Sequence, residues 1–202
     1  MVIAAVNRLG VETTSLVAIL VAAGLAVGLA LQGALSNFAA GVLLILFKPF
    51  AIGDWVTAAG VTGVVQNVDI FNTTFLTLDN RKVIVPNSKI TSDNIENLSA
   101  MDKRRIDLVF GISYSDDIKK AKEALMSVLS GDRRILQDPA PFVAVGELAD
   151  SSVNLVCRPW VRPKDYWDVY FDVVEKGKLA LEAAGITIPF PQADVHLYTQ
   201  RD

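Results

Sequence analysis

Few side chains in this sequence are of the kinds that do covalent chemistry, and none stands in a pattern that would. His196 is the only histidine, and a zinc site or a Ser-His-Asp triad would need partners that no motif supplies. Cys157 is the only cysteine; it cannot pair within the chain and reads as a small buried apolar residue of a strand. The carboxylates of Asp116 and Asp117 are adjacent, so on a helix they point roughly 100° apart. That suits the positive end of a helix better than shared acid-base work. Gly24-x-x-x-Gly28 is not a phosphate loop, because no Lys-Ser or Lys-Thr follows and its surroundings are apolar. These residues point to no enzyme, no metal and no cofactor. The pattern that remains is physical: Leu25 and Leu29 in line with the polar Gln32 and Ser36, flanked by small residues.

The element that must position these residues is an uncharged stretch, Thr13 to Phe47, bracketed by Glu12 and Lys48. As a helix, Leu16 to Phe47 would be roughly 48 Å long, whereas a bilayer core is roughly 30 Å thick. Leu16 to Leu35 suffices for a full span. The remainder, Ser36 to Phe47, is too short to cross again, and Gly33 with Ser36 and Asn37 marks the cheapest place for a bend. The expectation is a spanning helix, a kink near Gly33, and a short second helix near the membrane surface that stops before Pro49.

Around the helix, Ala18, Ala22, Ala26 and Ala30 form one small-residue face. Gly24 and Gly28 form another, roughly 160° away. Leu25, Leu29, Gln32 and Ser36 lie between the two, and Leu16, Leu20, Val27 and Leu31 occupy the far side. Small residues let helices approach closely in lipid. Two different small faces imply head-to-tail contact between identical copies, a contact that closes into a ring. The leucines would then face the axis and form an apolar constriction able to block ions by dewetting. Competing readings are a plain anchor, since Gly and Ala are frequent in membrane helices, and a transporter with a midplane site, hinted at only by Gln32 and Gly33.

Beyond Lys48, charges of both signs return at ordinary density. A net charge of −3 argues against a general nucleic-acid partner. The lack of a disulfide framework fits a reducing compartment for this body. The first residues lack the basic start of a signal peptide. Trp55 to Thr57, Val61 to Val68, Thr73 to Leu78 and Lys82 to Val85 read as strands, with turns at Gly60 and Asp79-Asn80. They make a small β-barrel domain. From Lys103 the order becomes β-α-β-β-α: a strand over Ile106 to Ile112, a helix capped by Ser115 and ended by Gly131, strands near Phe142 to Gly146 and Val153 to Trp160, and a helix from Tyr166 to Ala184 stopped by Gly185. Asp194 to Tyr198 alternates like a lone strand, which is unstable by itself.

The string from Ala22 to Gly33, continued by Leu35-Ser36-Asn37-Phe38-Ala39-Ala40-Gly41, resembles the pore helix of bacterial mechanosensitive channels of small conductance. Phe47-Lys48-Pro49-Phe50, Gly53-Asp54, Val85-Pro86-Asn87, and Ile186 with Pro189-Phe190-Pro191-Gln192 extend the resemblance over essentially the whole chain. It implies that Leu25 and Leu29 seal the pore and that Ala18, Ala22, Ala26, Gly24 and Gly28 pack neighbouring helices. It further implies a kink at Gly33 and a second flexible point at Gly41. The family assembles as a homoheptamer in the bacterial inner membrane with its body in the cytoplasm. It opens under tension in the lipid and releases ions and small osmolytes.

The implied architecture is a membrane α segment plus a soluble α+β body: residues 15–48 the kinked pore helix, 49–100 an Sm-like β-barrel domain, 101–188 a ferredoxin-like α/β domain, and 189–202 a strand contributing to an intersubunit β-barrel. Residues 1–14 would be the end of a preceding helix and a loop, since family members carry two further membrane helices before this one. Val21 stands where a small residue is often found. Sm-like domains bind RNA elsewhere, but no basic or aromatic surface is evident here. A membrane-anchored oligomeric scaffold, with a solute-binding chamber and a non-conducting helix, is the alternative function.

Overall fold

With no proline and no charge between Thr13 and Phe47, nothing interrupts helical hydrogen bonding, and a helix satisfies every backbone group internally. The computed structural model, which describes residues 13–196 and 198, accordingly contains one helix, α1, over Thr13–Phe47. The two helical halves expected on either side of Gly33 form one element. It ends where Lys48 turns to φ 45° ahead of Pro49, with the Lys48 amide still donating to the Leu44 carbonyl at 3.0 Å. The expectation for residues 1–12 lies outside the described residues.

The chain divides into two compact units, residues 1–100 and 101–202. In the first, α1 is followed by β1 (Trp55–Ala58), β2 (Val61–Val68), β3 (Asn72–Leu76), β4 (Lys82–Pro86), the short helix α2 (Asn87–Thr91) and β5 (Glu96–Asn97). All pairings are antiparallel, in the order β4-β3-β2-β1-β5. Ala59 and Gly60 both take positive φ (49° and 75°), which matches the two-residue hairpin turn whose twist suits its strands. β3 stops at Leu76 rather than Leu78, because Thr77 enters a turn in which its carbonyl accepts from Asn80 and its amide donates to Arg81. Val56, Ala58, Val65, Phe75, Val85 and Ile90 form the buried core, joined by Leu44 of α1 and Phe50.

The second unit contains β6 (Arg104–Arg105), β7 (Leu108–Ile112), α3 (Ile118–Gly131), β8 (Phe142–Leu148), β9 (Val153–Arg158), β10 (Trp160–Val161) and α4 (Tyr166–Ala183). A three-stranded sheet runs β7-β9-β8, and β10 pairs with β6. Strict alternation in β9 buries Val153, Leu155 and Cys157 against α3 and α4. Gly177 is small of necessity, since a Cβ there would lie 2.6 Å from the Phe110 ring.

One helix start differs in detail from its sequence reading. Asp117, not Ser115, caps α3: its carboxylate accepts from the amides of Lys119 (2.8 Å) and Lys120 (3.2 Å). Asp116 instead accepts from Thr187 (2.7 Å) and Ser113 (3.3 Å), tying the chain after α4 to the end of β7. α4 stops at Gly185 as its sequence reading has it: Gly185 takes φ 70° and donates to the Glu182 carbonyl, while Ile186 donates to the Leu181 carbonyl. This double bond pattern closes the helix around a left-handed glycine.

Among the described residues after Ile188 the single chain makes no strand hydrogen bonds; the strand expected in this segment is one that would pair between copies. A strand needs a ladder partner, and none of the described strands pairs with this segment.

Candidate functional site: an exposed apolar helix

From Thr14 to Ser36 every residue of α1 is exposed on the single chain, including Leu25 at 63% and Leu29 at 62%. That length is roughly 34 Å of helix, close to the hydrocarbon thickness of a bilayer. So large a bare apolar surface must be covered by lipid or by other chains. The faces read from the sequence are therefore all free. Around Gly24, Gly28 and Gly33, an added Cβ would meet no atom within 4 Å. Ala18, Ala22, Ala26, Gln32 and Ser36 are likewise exposed.

From Asn37 onward the same helix changes partner. Its Asn37 amide donates to the Gly33 carbonyl at 2.8 Å, and its Oδ1 accepts from the Ser88 amide (3.0 Å) and hydroxyl (2.8 Å) on α2. One side chain thus holds the helix where it leaves the bare segment and binds it to the β domain. Phe38 packs against Phe71 with ring centroids 6.3 Å apart. Ala40, Gly41 and Leu44 are buried. The segment assigned from sequence to the membrane surface is docked along one face onto this domain.

Gly41 is the tightest point of that contact. A Cβ at this position would stand 2.1 Å from the Ile70 carbonyl oxygen and 2.6 Å from Asn87 Nδ2. Glycine is required here by close approach of two backbones, whatever flexing it permits. Beneath it, Asn87 is completely buried yet satisfied: its Oδ1 accepts from Thr73 Oγ1, its Nδ2 donates to the Asp69 carbonyl, both at 2.8 Å, and its amide donates to Phe71 at 3.0 Å. Sequence reasoning noted Asn87 only as part of a matching string, and Asn37 as that and as a mark of the bend near Gly33. Their signal was polarity: an amide inside an apolar run, and one opening a helix after proline, each needing partners when buried.

Comparison with known proteins agrees with this layout. Three family descriptions match in order: "Mechanosensitive ion channel, transmembrane helices 2/3" over residues 1–32, "Mechanosensitive ion channel, beta-domain" over 33–100, and "Mechanosensitive ion channel MscS, C-terminal" over 106–188. A small-conductance mechanosensitive channel of Edwardsiella ictaluri is 55% identical over 177 residues, covering 88% of this chain and 62% of the relative. An uncharacterised MscS family protein of Synechocystis is 46% identical, covering 94% and 64%. The chain thus spans a little under two-thirds of the length of these relatives. The crystal structure of Helicobacter pylori MscS in a closed state superposes with a TM-score of 0.91 at 34% identity, covering 98% of this chain and 79% of that one.

Proposed function

This chain belongs to the MscS family of mechanosensitive ion channels, and from that premise we propose that it forms the pore of a tension-gated, weakly selective channel releasing ions and small osmolytes on hypo-osmotic shock. The observation that carries the proposal is the bare apolar length from Thr14 to Ser36, with two small-residue faces flanking a leucine line.

Copies of α1 pack Ala18, Ala22 and Ala26 of one against Gly24 and Gly28 of the next, closing a homoheptameric ring. Leu25 and Leu29 then stand around the axis. Two rings of isobutyl groups make a throat that water leaves, and an ion cannot cross without its hydration shell. Gln32 and Ser36 line the wider, wetted end below it. Opening widens the ring, with Gly33 and Gly41 as the points where α1 changes direction relative to the β domain. The assembly sits in the bacterial inner membrane with the β domain after α1 and the second unit in the cytoplasm, and the C-terminal segments of all copies complete one another as a barrel.

Patch recording under controlled tension tests this reading. Leu25→Ser or Leu29→Ser should leave a wetted constriction, giving closed-state leak and a lower opening tension. Unchanged leak and threshold in both variants would remove the leucines from the axis. A ring that never conducts at any tension would favour the scaffold function instead.

A further inference from the structure

The chain that leaves α4 is held for several residues before it goes free. Ile186 is buried, and Thr187 is held at both backbone groups: its amide donates to Asp116 Oδ2 at 2.7 Å and its carbonyl accepts from the Ser113 amide at 3.0 Å. Further on, the Gln192 amide donates to Ser151 Oγ at 3.0 Å. Ser113 and Asp116 follow β7, whereas Ser151 lies in the turn between β8 and β9, where the Ala149 amide donates to the Ser152 carbonyl at 2.9 Å. These two supports are themselves joined, because Tyr114 Oη donates to the Ala149 carbonyl at 2.6 Å. The segment from Thr187 to Gln192 is thus a strap pinned at each end to one platform.

Between its pins the strap is stiff. Pro189 and Pro191 fix their own φ and bias Ile188 and Phe190 towards extended backbone. Gln192 Nε2 adds a bond to the Phe190 carbonyl at 2.8 Å. Apolar burial does not set this course, since Phe190 is 84% exposed and Ile188 44%. The hydrogen bonds and the prolines do.

The alternating stretch of the C-terminal segment begins at Asp194, two residues past the second pin. A strand whose ladder partners lie in other copies pairs more readily when its root is held still, because a short tether raises its effective concentration and lowers the entropy lost on pairing. We infer that Ser151 is a positioning residue for assembly: it holds the root of each C-terminal segment so that the segments of neighbouring copies meet. With Gln192 released, the nearest pin is Thr187, and the tether to Asp194 grows from two residues to seven. Effective concentration falls roughly as the −3/2 power of tether length, here ~6-fold. The inference rests on the barrel proposed above and adds the side chain, in the body of each copy, that prepares it.

Pulsed electron resonance on the whole protein in detergent tests this, with a nitroxide on Val195→Cys; Cys157 is fully buried and stays unlabelled. Paired segments should give a narrow population of short label-to-label distances, and a label on Asp194→Cys should report the same. At the urea concentration that halves this population, adding Ser151→Ala should cut it from one half to about one in seven. Ser151→Thr, which keeps the hydroxyl, should restore it. The unfolding midpoint of the second unit, read on the same samples, should not move with Ser151→Ala. A narrow population indifferent to Ser151→Ala overturns the inference and leaves the barrel standing. A loss that Thr does not restore, or that follows an equal fall in the unit's own midpoint, assigns Ser151 to the fold and also overturns it. Light scattering separates the remaining failures. A multimer without any narrow population refutes the barrel, a single-chain mass refutes the oligomer, and the inference falls with either.

Discussion

Replacing Gly41 with alanine adds one methyl group where the structure leaves no room for it. The new Cβ would lie 2.1 Å from the Ile70 carbonyl oxygen and 2.6 Å from Asn87 Nδ2. An ordinary contact is more than 3 Å, so α1 and the turn between β2 and β3 must separate by about 1 Å at a well-packed site. Overpacking of this kind costs about 1–3 kcal/mol. The same displacement strains the buried Asn87, whose Nδ2 bond to the Asp69 carbonyl is worth about 1 kcal/mol. Against this, alanine favours the helix over glycine by about 1 kcal/mol. The balance is a loss of about 2 kcal/mol in the docking of α1 on its domain, or ~30-fold in the opening equilibrium. Amide hydrogen exchange of residues 41–47 should therefore quicken by that order. Gly33→Ala, with no atom within 4 Å of the added methyl, should not affect this docking. Unchanged protection of residues 41–47 in Gly41→Ala would refute the close-approach argument.

Asn37→Ala removes the acceptor for both Ser88 donors and should speed exchange of the Ser88 amide while leaving the Phe75 core strand protected. Gly185→Ala places a side chain at φ 70° and should destabilise the second unit by about 1 kcal/mol, read as a lower urea midpoint. Hydrogen bonding from Arg134 is the largest cause holding the carboxyls of both Asp132 and Asp172 below the usual range. A depressed folded value means the stabilisation is present above the unfolded value near about 4 and fades as pH falls through the folded one. Arg134→Gln should therefore lose less stability than wild type on acidification below about pH 4, and parallel acid curves for the two proteins would contradict the assignment. The Cys157 thiol, fully buried and pushed by burial up to about 12, should resist thiol reagents until the second unit unfolds.

Local pattern made several features legible without coordinates. The uncharged run read as helical throughout, although the structure joins into one element the two halves expected around Gly33, and its face of leucines between small residues follows from 100° spacing alone. Short runs bounded by turn residues marked β1, β2 and β9, and Gly60 and Gly185 announced the left-handed turns that only glycine takes without strain. Each of these depends on residues a few positions apart. Asp116 and Asp117 show where that reach ends: both looked like helix-end acids, but one caps α3 and the other binds Thr187, a partner 71 residues away.

Gly41 lay beyond local pattern for the same reason. Read along the chain it is a flexible residue in a helix; against the Ile70 carbonyl it is a packing requirement. Asn37 meeting Ser88 and Asn87 threading between Thr73 and Asp69 are likewise facts of folding, because a hydrogen-bond partner is chosen by distance in space and not by spacing in sequence. The periodicity of a single helix could say which side chains share a face. Only the folded domain decided that the face from Asn37 onward belongs to the β sheet, while the length before it is left bare.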